Sequence, residues 1–201
     1  MAAPLDFYFD FSSPYAYIGA MRIEALAAKH GRSVNWHPML LGVAFKIAGT
    51  QPLTQYPLKG DYSRRDFDRS ARELGIPFNM PAIFPLATQA AARAVYWLQQ
   101  HLPDKTAAFI KAVYTAYFVD GRDISSPDTV VAIAEGLGID GAALRAGFES
   151  AETKAAFKQA VEQAVTERGV FGAPFVFADG EPFWGADRFD MLDRWLSRGG
   201  W

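Results

Sequence analysis

Three short stretches of this chain combine residue types that could activate a thiol or hold a small charged ligand. The first is Ser12-Ser13-Pro14, which follows a run of alternating aromatic residues and precedes a helical pattern. A hydroxyl at the start of a helix lies beside first-turn N–H groups, which favour a neighbouring anion such as a thiolate or an oxyanion. From local sequence alone, the simpler interpretation is that Ser13 only caps the helix.

The other two stretches lie near the C-terminal end. Pro174 follows Ala173 and precedes an apolar run; such a proline is either a trans residue that starts a strand or a cis-proline that exposes the preceding backbone to a ligand. Asp187 could cap the last helix or hold an ammonium group, and Arg188 could bind a carboxylate or stay in solvent. Local sequence favours the trans proline and the capping aspartate.

Composition excludes several kinds of chemistry. The chain has no cysteine, so disulfides, thiolate metal sites and disulfide exchange by its own thiols are ruled out. Its three histidines, His30, His37 and His101, lack the spacing of a metal-binding motif.

Charge and hydropathy narrow the partners and the location. A net charge of −2 gives no reason to expect nucleic acid binding. No apolar run approaches the roughly 18 residues of a membrane span. The N-terminal residues do not resemble a secretory signal, so a cytoplasmic location is the default expectation.

The elements that must position these residues fall into an α/β group and a helical group. Alternation of apolar and polar residues predicts the first strand, Pro38 confines the second to a sheet edge or an early end, and Asp179-Gly180 predicts a hairpin between the last two. The segment 41–60 is expected to be a long loop with one helical turn at 43–48. The predicted strands are 5–11, 34–39, 175–177 and 181–184, and the predicted helices are 14–30, 63–74, 86–101, 105–118, 126–137, 142–148, 151–168 and 189–196.

The segments FYFDFSSPYAY, GVFGAPFVF and FWGADRFDML carry a resemblance to a known family. Together they resemble the 2-hydroxychromene-2-carboxylate isomerases and the related kappa-class glutathione transferases, in the DsbA-like branch of the thioredoxin superfamily. The resemblance extends over nearly the whole chain. It implies a thioredoxin-like (DsbA-like) α/β fold, built from residues 1–45 and 150–201, with a large all-α insertion at 46–149. It also implies glutathione as cofactor and, commonly, a homodimer.

The resemblance implies a role for each of the three stretches. Ser13 would stand where related thioredoxin-like enzymes have a nucleophilic cysteine, with Ser12 as its neighbour, and the thiol would come from glutathione. Pro174 would be the cis-proline, and the backbone of Ala173 would pair with the cysteine of glutathione. A helix N-terminus favours an anion by up to about 2 kcal/mol, which lowers a thiol pKa of about 8.5 by roughly 1.5 units.

The same resemblance implies binding residues for both ends of glutathione. Asp187 would hold the γ-glutamyl end, next to Ala186, where related proteins carry a polar side chain. Lys59 would approach the glycine carboxylate. Thr50 or Gln51 would take the place of a family asparagine.

The implied activity is a glutathione-dependent isomerisation of a flat, aromatic, anionic substrate. The thiolate would add to the conjugated system of a hydroxychromene carboxylate, the ring would open, a single bond would rotate, and elimination would return glutathione with a trans-benzylidenepyruvate product. Core packing is the expectation for most of the aromatic candidates. A kappa-type transferase or peroxidase, and a non-catalytic binding module, are the alternatives. The substrate-binding candidates are Phe84, Trp97, Phe118, Trp184, Arg188 and Lys59.

Overall fold

A four-stranded mixed sheet carries the three stretches singled out above. In the computed structural model, which describes residues 2–201, the strands are β1 (Leu5–Phe9), β2 (Val34–Pro38), β3 (Phe175–Ala178) and β4 (Glu181–Trp184). Their order is β2-β1-β3-β4. β1 pairs in parallel with β2 and antiparallel with β3, and β3 pairs antiparallel with β4. Strands from both ends of the chain therefore meet in one sheet.

The strand positions follow from side-chain patterning. Leu5, Phe7 and Phe9 in β1 are fully buried, as expected for a central strand covered by helices. Pro38 ends β2 opposite Phe9. Because proline has no N–H to give to a sheet, this strand lies at the edge, which confirms the prediction.

Ten α-helices and two 3-10 helices occur within residues 2–201. The 3-10 helices span Leu53–Gln55 and Ala186–Arg188. The α-helices are α1 (Pro14–Ala20), α2 (Ile23–Lys29), α3 (Leu41–Ala48), α4 (Lys59–Glu73), α5 (Gln89–His101), α6 (Pro103–Phe118), α7 (Pro127–Glu135), α8 (Gly141–Glu149), α9 (Ala151–Thr166) and α10 (Phe189–Arg198).

The single helix predicted over 14–30 is wrong, because the chain forms two helices there. α1 ends at Ala20, and two backbone hydrogen bonds close it: the N–H of Met21 donates to the carbonyl of Tyr17, and the N–H of Arg22 donates to that of Gly19. Six of the seven residues of α1 are buried, whereas α2 buries only Ile23 and Ala27. The two segments thus pack against different surroundings, and the helix is interrupted between them.

The loop predicted over 41–60 also needs correction. α3 occupies Leu41–Ala48, and α4 begins at Lys59. The first N–H of α3, on Leu41, donates to the carboxylate of Asp10 at 2.6 Å. This cap comes from a residue 31 positions away in sequence, so local sequence could not indicate it.

One hydrophobic core continues from the sheet into the helices. Phe9, Phe11 and Tyr114 pack ring against ring, with centroids 4.9–6.0 Å apart. Phe118 is fully buried in this core, and Trp97 packs against it with its ring beside Gly147. Both belong to the core, as expected for most of the aromatic candidates. The boundaries placed at residues 45 and 150 stay predictions.

Two further properties concern the part of the chain from residue 2 onward. None of its helices has the length and apolar character needed to cross a membrane. It also brings together no group of three or more histidine or acidic side chains that could hold a metal ion.

Candidate active site

A cavity of about 880 Å³ opens where β1 ends and α1 begins. Its walls come from the start of α1, from α3 and the segment leading into α4, from the approach to β3, and from the turn before α10. Pro174 follows Ala173 in sequence but is not itself among the residues that line the cavity. The predicted site residues that line the cavity are Ser12, Ser13, Thr50, Gln51, Lys59, Phe84, Ala173, Trp184, Ala186, Asp187 and Arg188.

Ser13 lies at the bottom of the cavity as the N-cap of α1 and is only 6% exposed. Its Oγ accepts a hydrogen bond from the N–H of Ala16 at 3.1 Å and donates one to the carbonyl oxygen of Ala173 at 3.0 Å. The capping interpretation is therefore confirmed. A hydroxyl has one hydrogen to donate. If Ser13 turns this hydrogen to a bound anion, the carbonyl of Ala173 loses its donor. A ligand N–H that donates to Ala173 would replace it.

The peptide bond between Ala173 and Pro174 is cis, so the expectation of a cis-proline is confirmed. Ala173 faces the cavity and is 9% exposed. A second cis bond, which the sequence did not suggest, joins Phe84 to Pro85, and both residues also line the cavity.

The shortness of α1 changes the electrostatic expectation at Ser13. The helix has seven residues rather than the seventeen of the predicted segment. The favourable effect on an anion is concentrated in the first turn. Local N–H groups and the Ser13 hydroxyl, rather than a long helix, are therefore what this site offers to a thiolate.

Asp10 holds the Ser12-Ser13 turn by hydrogen bonds from Ser12, a role that the sequence did not indicate. It is 3% exposed, and its Oδ1 accepts from the N–H and Oγ of Ser12 at 2.9 and 3.0 Å and from Thr88 Oγ1 at 2.9 Å. Burial raises the pKa of the Asp10 carboxyl, while hydrogen bonds from Leu41 and Ser12 act in the opposite direction. One carboxylate thus joins the end of β1 to the starts of α3 and α5.

The same contact limits what Ser12 can do. Its hydroxyl hydrogen is engaged by Asp10 at 3.0 Å. A ligand donor can still approach the oxygen, whose lone pairs can accept, but the side chain mainly orders the turn.

Asp187 does not cap α10, so the capping expectation is wrong. The residue before α10 is Arg188, which makes no side-chain capping bond, and Asp187 lies within the 3-10 turn ahead of it. The Asp187 side chain is 72% exposed and lies 3.3 Å from an Arg188 nitrogen. Its Oδ1 lies 2.3 Å from where a Cβ on Gly185 would be, and Gly185 has φ +108°. Glycine at this position leaves room for the carboxylate at the cavity wall.

Arg22 reaches the same wall from the break between α1 and α2. Its guanidinium packs 5.1 Å above the ring of Phe189. It donates to the carbonyl oxygen of Ala186 at 3.4 Å and lies 3.7 Å from Asp190. Arg22 lines the cavity, yet it was not identified from the sequence.

The other polar candidates, Thr50, Gln51 and Lys59, belong to the part of the lining that runs from the end of α3 to the start of α4. The Nζ of Lys59 lies 5.4 Å from the ring centroid of Tyr56. The side-chain amide of Gln51 donates to Gln55 at 3.2 Å and so belongs to its own loop. The backbone N–H of Thr50 closes α3 by donating to Phe45, which leaves the Thr50 side chain at the cavity wall.

Aromatic side chains form the remaining wall. Trp184 is 55% exposed and meets Phe171 edge to face at a centroid distance of 4.8 Å. Phe84 also lines the cavity, and its ring centroid lies 6.4 Å from that of Phe67. A Cβ on Gly172 would lie 2.4 Å from Trp184 Nε1. The tryptophan therefore rests directly on the backbone that leads to Ala173.

A hydrogen bond between Tyr15 and Asp66 joins α1 to α4 at the edge of the cavity. The hydroxyl of Tyr15 donates to Asp66 at 2.5 Å. Burial and the neighbouring carboxylate raise the pKa of Tyr15, so its hydroxyl stays protonated near neutral pH.

Sequence signals for the missed residues differ in strength. Asp10 precedes Ser12 by two positions, which is the spacing of an Asx turn, and this could have indicated an inward-facing carboxylate. Arg22 and Phe171 have no comparable local signal, because the tertiary fold alone brings them to the cavity.

Comparison with known proteins gives a consistent result. Residues 4–197 match the family model of the DSBA-like thioredoxin domain. The chain is 32% identical to a 2-hydroxychromene-2-carboxylate isomerase of Sphingobium xenophagum, over 98% of this chain and 99% of that protein. It is 24% identical to glutathione S-transferase kappa 1 of Caenorhabditis elegans, over 94% of this chain and 88% of that protein. A solved 2-hydroxychromene-2-carboxylate isomerase structure superimposes with a TM-score of 0.86 at 28% identity, over 96% of this chain and 94% of that one.

Proposed function

Because this chain belongs to the DSBA-like thioredoxin domain family, among relatives that are isomerases and kappa-class transferases, we propose that it is a glutathione-dependent isomerase. Its substrate class is the hydroxychromene carboxylates, and its product a trans-benzylidenepyruvate. The observation that carries the proposal is the hydrogen bond from Ser13 to the carbonyl of Ala173 at the bottom of the cavity. This pair offers a donor for a sulfur anion beside an acceptor for a peptide N–H.

The central part of the cavity fits the cysteine of glutathione. A cysteinyl N–H that donates to Ala173 would release the Ser13 hydroxyl to donate to the sulfur. Hydrogen bonds to an anion are shorter and stronger than those between neutral groups, so this exchange favours the thiolate. When bound, glutathione supplies a nucleophilic sulfur whose reversible addition turns a conjugated double bond into one that can rotate.

Charged and polar residues of the cavity lining are proposed partners for the charged ends of glutathione. Asp187 is proposed to hold the γ-glutamyl ammonium, and Lys59 the glycine carboxylate, with Thr50 or Gln51 beside it. Thr50 is the better candidate of these two, because Gln51 is engaged with Gln55. Ala186 contributes backbone only.

Room for a second, flat molecule supports the aromatic substrate. The cavity of about 880 Å³ is near the top of the range of roughly 300–1,000 Å³ for small-molecule sites. Phe84 and Trp184 are proposed as the apolar walls against which the aromatic ring lies. Arg188 is proposed to meet the substrate carboxylate.

The kappa-type transferase is the second candidate, because a kappa-class relative matches most of the chain. The two reactions differ in their thiol balance: isomerisation returns glutathione, whereas conjugation consumes one thiol for each product molecule. The enzyme is incubated with glutathione and either a hydroxychromene carboxylate or an electrophilic aryl halide, and free thiol and product are both measured. The isomerase proposal predicts trans product at an unchanged thiol concentration. Faster aryl halide conversion with equimolar thiol loss would favour the transferase, and no turnover of either would favour a binding module.

A cytoplasmic location and a homodimer are further parts of the proposal. The homodimer comes from the resemblance to the family, and the cytoplasmic location is the default expectation for this sequence. Cell fractionation tests the first, and sedimentation of the purified chain tests the second.

A further inference from the structure

We propose that Arg22 is a specificity-determining residue that binds the α-carboxylate of the γ-glutamyl group, opposite the contact of Asp187 with the α-ammonium. This inference rests on the proposed function. It assigns to the cavity a subsite for an amino-acid zwitterion, so that the thiol is selected by its γ-glutamyl end.

Arg22 is held in place but not saturated by its neighbours. Its side chain is 29% exposed and packs over the Phe189 ring at 5.1 Å. Within residues 2–201, its polar contacts are one long hydrogen bond to Ala186 at 3.4 Å and a separation of 3.7 Å from Asp190. A guanidinium has five N–H donors. Donors therefore remain for a carboxylate, on a group whose position is already fixed.

The surroundings of Arg22 match the two opposite charges of a zwitterion. Ala186, whose carbonyl accepts from Arg22, directly precedes Asp187. Arg22 and Asp187 both line the cavity. The γ-glutamyl group carries its carboxylate and its ammonium on one carbon, so adjacent positive and negative side chains can bind both. Planar guanidinium groups suit carboxylates because they can donate two parallel hydrogen bonds.

Arg188 is the other arginine at this wall and is less suited to the contact. Its side chain is 51% exposed and its nearest partner is Asp187 itself, at 3.3 Å. A carboxylate bound there would compete with Asp187 for the same cation. Arg22 instead pairs with Asp190, whose side chain is 84% exposed and can turn to solvent.

The alanine at position 186 makes the contribution of Arg22 to carboxylate binding more important. Its side chain has no hydrogen-bonding group, so it cannot hold the carboxylate. The guanidinium of Arg22 is the cation anchored beside that position.

The test compares two tripeptides on the wild type and on variants. Glutathione carries the α-carboxylate, whereas 4-aminobutanoyl-cysteinylglycine lacks it and keeps the ammonium and the thiol. Calorimetry gives the dissociation constant of each with the wild type, Arg22→Met and Arg188→Met. Because a hydrogen-bonded charge contributes roughly 10- to 100-fold in affinity, the wild type should prefer glutathione by about that factor. Arg22→Met should bind the two peptides equally, and Arg188→Met should keep the preference.

The outcomes separate this inference from the proposed function. A variant that only loosened the turn before α10 would weaken both peptides alike and keep their ratio, which would overturn the carboxylate role of Arg22. The inference would also be overturned if Arg188→Met, rather than Arg22→Met, lost the preference for glutathione, or if the wild type bound both peptides equally. The proposed function would stand in either case. No binding of glutathione by the wild type would overturn both.

Discussion

Replacing Ser13 by alanine should raise the pKa of the bound glutathione thiol. The Ser13 hydroxyl is the buried group that can donate to the sulfur, and its present acceptor is the carbonyl of Ala173 at 3.0 Å. A hydrogen bond to a charged group contributes about 1.5–3 kcal/mol. At 1.36 kcal/mol per pKa unit, this corresponds to a rise of roughly 1–2 units.

The same substitution also removes a helix cap, and this effect must be separated from the first. Ser13 accepts from Ala16 at 3.1 Å, and loss of such a cap costs about 1 kcal/mol of folding stability. Ser150 provides the matched control, because it caps α9 by accepting from Thr153 at the same 3.1 Å. Ser150 does not line the cavity.

The assay follows the ultraviolet absorbance of the thiolate against pH, with the wild type, Ser13→Ala and Ser150→Ala each saturated with glutathione. Both variants should lose about 1 kcal/mol in chemical denaturation from the missing cap, and Ser13→Ala should lose somewhat more because the hydrogen bond to Ala173 is also removed. Only Ser13→Ala should raise the thiol pKa. An unchanged thiol pKa in Ser13→Ala, or an equal rise in both variants, would refute the role given to the hydroxyl.

Three further substitutions test other parts of the account. Asp10→Ala leaves several buried donors unpaired and should cost about 3 kcal/mol or more in denaturant unfolding; a loss below about 1 kcal/mol would contradict the linking role of this carboxylate. Burial raises the pKa of Asp6, but hydrogen bonds led by the one from His37 outweigh this effect and lower the pKa below its ordinary value of 3.8. The contribution of Asp6 to folding stability is therefore complete above about pH 3.8 and is lost as the pH falls through the folded-state pKa. Asp6→Asn should therefore flatten the acid side of the stability curve, and an unchanged acid slope would argue against this. Gly172→Ala would place a Cβ 2.4 Å from Trp184 Nε1 and should raise KM for the aromatic substrate several-fold; an equal loss of glutathione affinity would show that the wall is not specific to the substrate.

Patterns that depend on local chemistry were predictable from the sequence. Alternation of apolar and polar residues predicted β1. Pro38, at the end of β2, predicted that this second strand lies at the sheet edge. The cis bond before Pro174 followed from the family resemblance, while local sequence favoured trans. Ser13 as a cap followed from a serine directly before a proline at the first helical position.

Features that depend on distant partners were not predictable. α3 begins where Asp10, the residue directly after β1, supplies the acceptor for its first N–H. An acidic residue in an alternating strand pattern normally indicates a solvent-facing position, so the sequence did not indicate that Asp10 is buried. Asp187 was expected to cap α10, but the chain inserts a 3-10 turn there, and this turn directs the carboxylate to the cavity. The position of Arg22 depends on the interruption between α1 and α2, which the helical periodicity did not reveal.

The thiol requirement of the isomerisation tests the central claim most directly. The rate of conversion of a hydroxychromene carboxylate is measured with the wild-type chain alone, with glutathione, and with glutathione in competition with S-methylglutathione, which fills the same site without a free thiol. Conversion is expected to saturate with glutathione, to be absent without it and to be inhibited competitively by the S-methyl analogue. Conversion at the same rate without glutathione would contradict the central claim.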